Sequence, residues 1–307
     1  MATSSPDRRS HSRTRHSRHA PSWRLGQYQK IVPKMPPKLN LSMCGCGILG
    51  MYHLGVASAL MKHGRTFLES VEKIAGASSG SLTAALLVMS QDKLDESVTF
   101  TYDLAKEIRA KPFGSFTPRY NMLKSVYKFL DSTLPENAHE IASGRLFVSL
   151  TNVDTKKNEI ISQFDSREDL LQTLLASSYI PFYSSTNAPT LRGQKYMDGG
   201  FSNNLPDFLG GRTVHVSPFS GGQDISPIDK IGKGRFVRFG NQDYQINKNN
   251  IIRGSHAFFP PSQRTLQKYF EYGQRDTGKF LRKEGWFEVA PVKPYKKHHV
   301  RQYESTV

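Results

Sequence analysis

The chain has 307 residues, 37% of them apolar, and a formal net charge of +16; that is enough to bury one substantial core. It has no continuous apolar stretch of the length that a secretory signal or a membrane-spanning helix requires. Its two cysteines, Cys44 and Cys46, flank a single glycine and are too few for a disulfide framework or a structural zinc site, so a reducing, cytoplasmic setting is expected.

The charge is concentrated at the ends. Residues 1–38 hold nine Lys/Arg and one Asp, residues 291–307 hold four Lys/Arg and one Glu, and only +5 remains for the rest. The reading is a disordered basic segment over 1–38, a folded domain over 39–290 and a basic tail over 291–307. LNLSMC (39–44) alternates Leu39, Leu41 and Met43 with polar residues, as a strand does, and runs into the turn GCGILG. A helix over about 48–63 follows, with Leu49, His53, Val56 and Leu60 near helical spacing. A short strand at 73–76, the turn GASSG and an apolar helix over 81–89 come next. The polar segment 92–140, broken by Pro112, Pro118 and Pro135, reads as a helical cap or lid. Residues 145–153 and 158–164 read as a hairpin, 166–178 as a helix with Ser166 as N-cap, and 212–219 as a further strand. This alternation predicts an α/β fold with a largely parallel sheet.

Three glycine-rich turns carry candidate chemistry. Gly76-x-Ser78-x-Gly80 lies between a predicted strand and a predicted helix, the setting a nucleophile elbow requires. A side chain at Gly76 or Gly80 would crowd the turn that holds Ser78 out of line, and the helix start directs positive potential at it. The same residues also suit an ordinary turn with Ser78 as an N-cap. Gly45, Gly47 and Gly50 give G-x-G-x-x-G after a strand, which fits a dinucleotide loop or backbone amides facing an oxyanion. A dinucleotide site wants an acid about 20 residues further on, at the end of a second strand. Glu69 and Glu72 instead precede the strand leading to Ser78, which favours the oxyanion use. The third turn is YMDGGFSNNLP, where Asp198 ends a strand before Gly199 and Gly200. By default Asp-Gly is only a turn, yet a carboxylate there could accept the Ser78 proton, the more so if partial burial raised its pKa.

GCGILG, GASSG and MDGG, in this order and spacing, resemble the patatin-like phospholipase family. ENAHEIASGRLFVSLTNV, SSYIPFYS, TVHVSPFSGGQDISP and HAFFPP look like its adipose triglyceride lipase and adiponutrin subgroup. The resemblance runs from about Leu39 to about Glu288. It implies a three-layer α/β fold with flanking helices and a Ser78/Asp198 dyad that needs no catalytic histidine. It also implies an oxyanion loop at Gly45, Cys46 and Gly47, with Gly50, Gly76, Gly80, Gly199 and Gly200 supporting the turns, and neither metal nor dissociable cofactor. Substrates implied are triacylglycerol, phospholipid or retinyl esters, with transfer of the acyl group to another acceptor, or lipid-surface binding with little turnover, as alternatives. The middle of the serine motif reads SSG where SAG is more familiar, and the long C-terminal region that helps some relatives reach lipid droplets has no counterpart in the sequence.

A conventional hydrolase triad would add a histidine after the acid, and His215 has that position, although an isolated histidine in an apolar strand is more often structural. His53 and His63 read as packing or solvent-facing residues of the first helix. Expected partners are a lipid ester, the surface of a lipid droplet or an anionic membrane to which the protein binds peripherally, and a possible protein co-activator, with no specific nucleic acid. The basic ends are the expected means of attachment. Residues 256–283, with Phe258, Phe259, Leu266, Tyr269 and Phe270 among Lys and Arg, read either as a helix packed on the domain or as a second contact with lipid.

Overall fold

A computed structural model describes residues 38–229 and 234–289, so the basic ends read from the sequence lie, Lys38 apart, outside the described residues. The chain opens with β1 (Leu39–Met43), α1 (Gly50–His63), α2 (Arg65–Glu69), β2 (Val71–Ala77) and α3 (Ser79–Met89). Three helices follow, α4 (Leu94–Arg109), α5 (Met122–Thr133) and α6 (Ala138–Ala142), before β3 (Leu146–Asn152), β4 (Asn158–Ile161) and α7 (Arg167–Ser177). β5 (Thr190–Leu191), β6 (Gln194–Asp198) and β7 (Arg212–Val216) complete the main sheet. β8 (Phe236–Phe239), β9 (Gln242–Gln245), α8 (Lys248–Phe258) and α9 (Gln263–Lys283) close the described chain.

Strands β3, β2, β1 and β7 lie side by side in that order, all parallel, and form the spine of a seven-stranded sheet flanked by helices. β4 and β6 pair antiparallel with β3, and β5 pairs antiparallel with β6. The expected α/β fold with a parallel core is therefore present, with an antiparallel edge that only the 145–164 hairpin announced. The alternation in β1 does not mark a solvent face: all five of its residues are buried, because the strand sits between two neighbours and is covered above and below. Asn40 tolerates this by donating to the Gly210 carbonyl at 2.8 Å.

Burial of the leucines and isoleucines of this core contributes roughly 1.5–3 kcal/mol for each side chain fully withdrawn from water. Ser166 caps α7 as expected, its hydroxyl accepting from the Asp169 amide at 3.1 Å. The segment 92–140 is no lid over Ser78. Leu104, Ile108, Leu123, Val126 and Leu130 anchor its helices in the main core, and none of its residues lines the cavity at the serine. Within 256–283, α9 is a packed helix with Leu266 and Tyr269 buried, whereas Phe258 and Phe259 are exposed. α9 lies hard against α1: a Cβ on Gly55 would come within 2.0 Å of the Phe270 carbonyl, and one on Gly273 within 2.1 Å of the Tyr52 carbonyl.

Candidate active site

The parallel register decides where the three turns meet. Met43 pairs with Gly76 and Ala77 with Ser149, so the loop after β1 and the turn after β2 leave the sheet side by side at its carboxyl edge, where open α/β sheets bind their ligands. Leu150 pairs with Asp198, which brings the end of antiparallel β6 to the same level.

Ser78 has φ 52° and ψ −131°, a conformation that costs a non-glycine residue of order 1–3 kcal/mol and persists only where the surroundings enforce it. The enforcing contacts are visible. A Cβ on Gly76 would stand 2.4 Å from the Gly80 carbonyl carbon, and one on Gly80 would stand 2.1 Å from the Met43 carbonyl oxygen. The Ser78 amide donates to Ser177 Oγ at 2.9 Å, and Ser177 donates in turn to the Ser149 carbonyl at 2.8 Å. The Ser78 carbonyl accepts from both the amide (2.9 Å) and the hydroxyl (2.7 Å) of Ser81. Although Ser78 stands at the N-cap position of α3, its hydroxyl does not cap the helix. The backbone is pinned and the hydroxyl is left for the cavity, unlike the ordinary capped turn that the motif alone would also fit.

Asp198 is buried, and burial pushes its carboxyl from 3.8 up to about 6, against opposing stabilisation of the anion by the Ser78 hydroxyl and the Gly200 amide. The Gly200 bond to Oδ1 is 2.7 Å, while no fully formed hydrogen bond joins Ser78 and Asp198 among the described residues. Pairs of this kind are often loose in a free enzyme and tighten with substrate. Gly199 is fixed by its surroundings, since a Cβ there would lie 2.1 Å from the Ser149 carbonyl.

The glycine loop differs in detail from the simple expectation of three open amides. Gly45 N–H donates to Asn204 Oδ1 at 2.8 Å and Cys46 N–H to Ser79 Oγ at 3.1 Å, whereas Gly47 N–H has no protein acceptor among the described residues. Gly47 has φ +55°, and a Cβ there would lie 2.3 Å from the Ala257 carbonyl. Gly50 keeps the helix entry close to the elbow, with room for a Cβ only 3.1 Å from Ser79 Cβ. Asn204 escaped the sequence reading although it lies within the YMDGGFSNNLP turn. Its side-chain amide donates to Gln242 Oε1 (2.8 Å) and Tyr244 Oη (3.0 Å), tying the glycine loop to the β8–β9 hairpin. Two asparagines in a turn carry no sequence signal that says which one reaches inward.

Gly45, Cys46, Gly47, Ser78 and Asp198 line one cavity of about 470 Å³. Its far wall, with Phe201, Val237, Phe239, Ile246, Ile251 and Phe258, comes largely from the hairpin and α8 and is mainly apolar. His215 is elsewhere, in a polar cleft with Nδ1 3.9 Å from Asp224 and Nε2 4.0 Å from Asp207, and does not line the serine cavity. His63 stacks on Phe287 at 5.0 Å. His53 is buried and donates from Nε2 to the Cys44 carbonyl at 2.8 Å. The fold brings donor atoms of Cys44, Cys46 and His53 within 4.8 Å of one another, a grouping the sequence spacing did not signal. The His53 Nε2 proton goes to the Cys44 carbonyl, and Nδ1 is buried without a protein partner among the described residues.

Comparison with known proteins gives the family. Residues 41–206 match the family described as Patatin-like phospholipase. The chain is 46% identical over 250 residues to human Patatin-like phospholipase domain-containing protein 4, an alignment covering 81% of this chain and 99% of that protein. It is 42% identical over 248 residues to mouse Patatin-like phospholipase domain-containing protein 2, covering 81% of this chain and 51% of the relative. Human 1-acylglycerol-3-phosphate O-acyltransferase PNPLA3 is 34% identical over 246 residues, covering 80% and 51%. The chain thus spans nearly all of the first relative and about half the length of the other two. The fold and the relatives define a protein of the class of lipid hydrolases and acyltransferases. The chain belongs to the patatin-like phospholipase family.

Proposed function

We propose that the protein is a serine acyl hydrolase for lipid esters that works through a Ser78/Asp198 dyad and an acyl-enzyme. The observation that carries this reading is a strained, uncapped serine beside a buried carboxyl raised to about 6, both facing an apolar cavity of about 470 Å³. Perturbed carboxyls in such clefts are what acid–base work requires. Asp198 accepts the Ser78 proton as Oγ attacks the ester carbonyl. Gly47 N–H, with the amino end of α3, faces the negative charge that develops on the carbonyl oxygen. Protonated Asp198 then gives its proton to the departing alcohol. In the second half, water loses a proton to Asp198 and attacks the acyl carbon, and Ser78 leaves with that proton restored. Asn204 and Ser79 act as positioning residues by holding the Gly45 and Cys46 amides.

The apolar wall supports a fatty-acyl chain as the group transferred, and triacylglycerol, phospholipid and retinyl esters all present one. A lipid alcohol in place of water would make the same acyl-enzyme a transacylase, a reading favoured by the relative named as an O-acyltransferase. Peripheral attachment to droplets or membranes fits the finding that no described helix is long and apolar enough to cross a membrane. The test is labelling by a fluorophosphonate probe together with turnover of a soluble short-chain ester. Ser78→Ala is expected to abolish both while leaving unfolding cooperative; labelling of the variant at the wild-type rate would rule the nucleophile out.

A further inference from the structure

The mouth of the serine cavity is unusually apolar for a surface in water. Phe201, Val237, Phe239, Ile246, Ile251 and Phe258 all line the cavity, and all are between 43% and 70% exposed. The apolar rim extends outward to the exposed rings of Phe116 and Phe259, 6.0 Å apart, with the buried Tyr183 ring beneath, 5.4 Å from both Phe258 and Phe116. Next to Tyr183, Phe182 is held at φ +63° with 76% of its surface exposed. A bulky side chain with positive φ is a genuine outlier, and here the strain presents an aromatic ring to solvent instead of burying it. Contiguous exposed apolar surface of this kind marks a binding face.

Charge lies beside it. Lys111, Arg119, Lys124 and Lys128 line a cleft with Glu107 as the one acid. Tyr120 in that cleft lies under Lys111, with Nζ 5.5 Å from the ring centre. The next helix is tied to the Phe182 turn by the Met122 amide, which donates to the Ser184 carbonyl at 2.9 Å. An apolar ring around an open mouth, flanked by basic side chains, matches the composition of an interfacial contact: apolar groups enter the acyl region while cations meet anionic head groups.

We infer that this rim and the adjoining basic cleft dock the protein on a phospholipid surface containing anionic lipids, with the cavity mouth facing the acyl chains. The inference rests on the acyl-hydrolase reading in one respect, the choice of occupant. A second copy or another protein seated on the rim would seal the path to Ser78, whereas a lipid surface supplies substrate through it. The folded domain thereby gains an attachment surface of its own, independent of the basic ends, which lie outside the described residues apart from Lys38.

The experiment uses full-length Ser78→Ala protein and sedimentation with phosphatidylcholine vesicles containing phosphatidylserine. Phe182→Ser/Phe259→Ser, both outside the cavity lining, is expected to weaken vesicle binding at least tenfold, and the same pair in active protein to leave soluble short-chain ester hydrolysis unchanged. Lys124→Gln/Lys128→Gln is expected to weaken binding only to the anionic vesicles and to flatten its salt dependence. Phe182→Trp keeps an aromatic ring in place and is expected to show added fluorescence that brominated lipid quenches, which decides the matter if the serine variants fail to fold. Wild-type vesicle binding by both double variants, or an unquenched Trp at position 182, overturns the inference. So does a stable dimer that shields that Trp in the presence of vesicles. If vesicles quench the Trp but wild-type protein hydrolyses no ester, the docking face stands and the hydrolase reading fails.

Discussion

Replacing Asp198 by Asn should make the protein more stable while removing its activity. A carboxyl held at about 6 in the folded chain and at 3.8 when free favours the protonated form on folding. At about 1.4 kcal/mol per tenfold change in proton affinity, ionising it in place costs the folded state ~3 kcal/mol at neutral pH. The sign follows from linkage. The folded chain keeps this proton longer than the unfolded chain, so the contribution favours folding below pH 4 and is lost as pH rises to about 6. An Asn side chain cannot ionise, yet its Oδ1 can still accept from Gly200 N–H, at a loss of ~1 kcal/mol for the weaker neutral bond. The net expectation is ~2 kcal/mol, or a melting midpoint raised by ~4–8 °C for a chain of this size. Thermal unfolding of wild type and variant, followed by near-ultraviolet circular dichroism from pH 4.5 to 8, measures it. The gap should open between pH 4.5 and 6 and stay constant above 7. A gap that ignores pH, or a variant less stable at pH 8, would refute the claim that burial raises this carboxyl.

The same carboxyl sets the pH dependence of turnover: kcat/KM for a soluble ester should rise about tenfold per pH unit below 6 and level off above it, because only the ionised form accepts the Ser78 proton; an acid limb centred near 4 would contradict this. Asn204→Ala removes the acceptor for Gly45 N–H and leaves Gln242 and Tyr244 without their shared partner. It should lower kcat by roughly 10- to 100-fold with a small change in KM, at a stability cost of ~1–3 kcal/mol; an unchanged kcat would remove its positioning role. His215→Ala, in the separate polar cleft, should retain most activity, and a loss comparable to that of Asp198→Asn would restore the triad.

The motif residues were legible because their demands are local. Gly76 and Gly80 touch across a single turn, and Ser78 between them is held largely by neighbours a few residues away, with the Met43 carbonyl against Gly80 and Ser177 on the Ser78 amide as the distant contacts. The strand-to-helix alternation gave β1, β2, β3, α3 and α7 to within a few residues. Relations across the chain were not legible. Asn204 reaches Gly45 over a separation of 159 residues, and nothing in the polar tripeptide Ser202–Asn204 says that one amide turns inward. Segment 92–140 looked like a lid because its polarity is high. Half-buried helices in an outer layer have that polarity too, and only the contacts of Leu104, Ile108 and Leu130 tell the two apart. The cavity wall was equally hidden, since β8, β9 and α8 contribute isolated apolar side chains without a motif.

The proposed reacting groups and most of the apolar cavity wall occupy different stretches of the chain. Gly45, Ser78, Asp198 and Asn204 all lie within the family-matched region 41–206, as does Phe201 of the wall, whereas Val237, Phe239, Ile246, Ile251 and Phe258 lie beyond it. Chimaeras are therefore a natural way to exchange substrate preference: hairpin and α8 from a relative could be grafted behind an unaltered reaction centre. The graft must bring Gln242 and Tyr244 with it, because these side chains hold Asn204 from the far side of the join. Libraries confined to Val237, Phe239, Ile246, Ile251 and Phe258, with Gln242 and Tyr244 kept, would then explore which acyl chains fit without disturbing the serine turn.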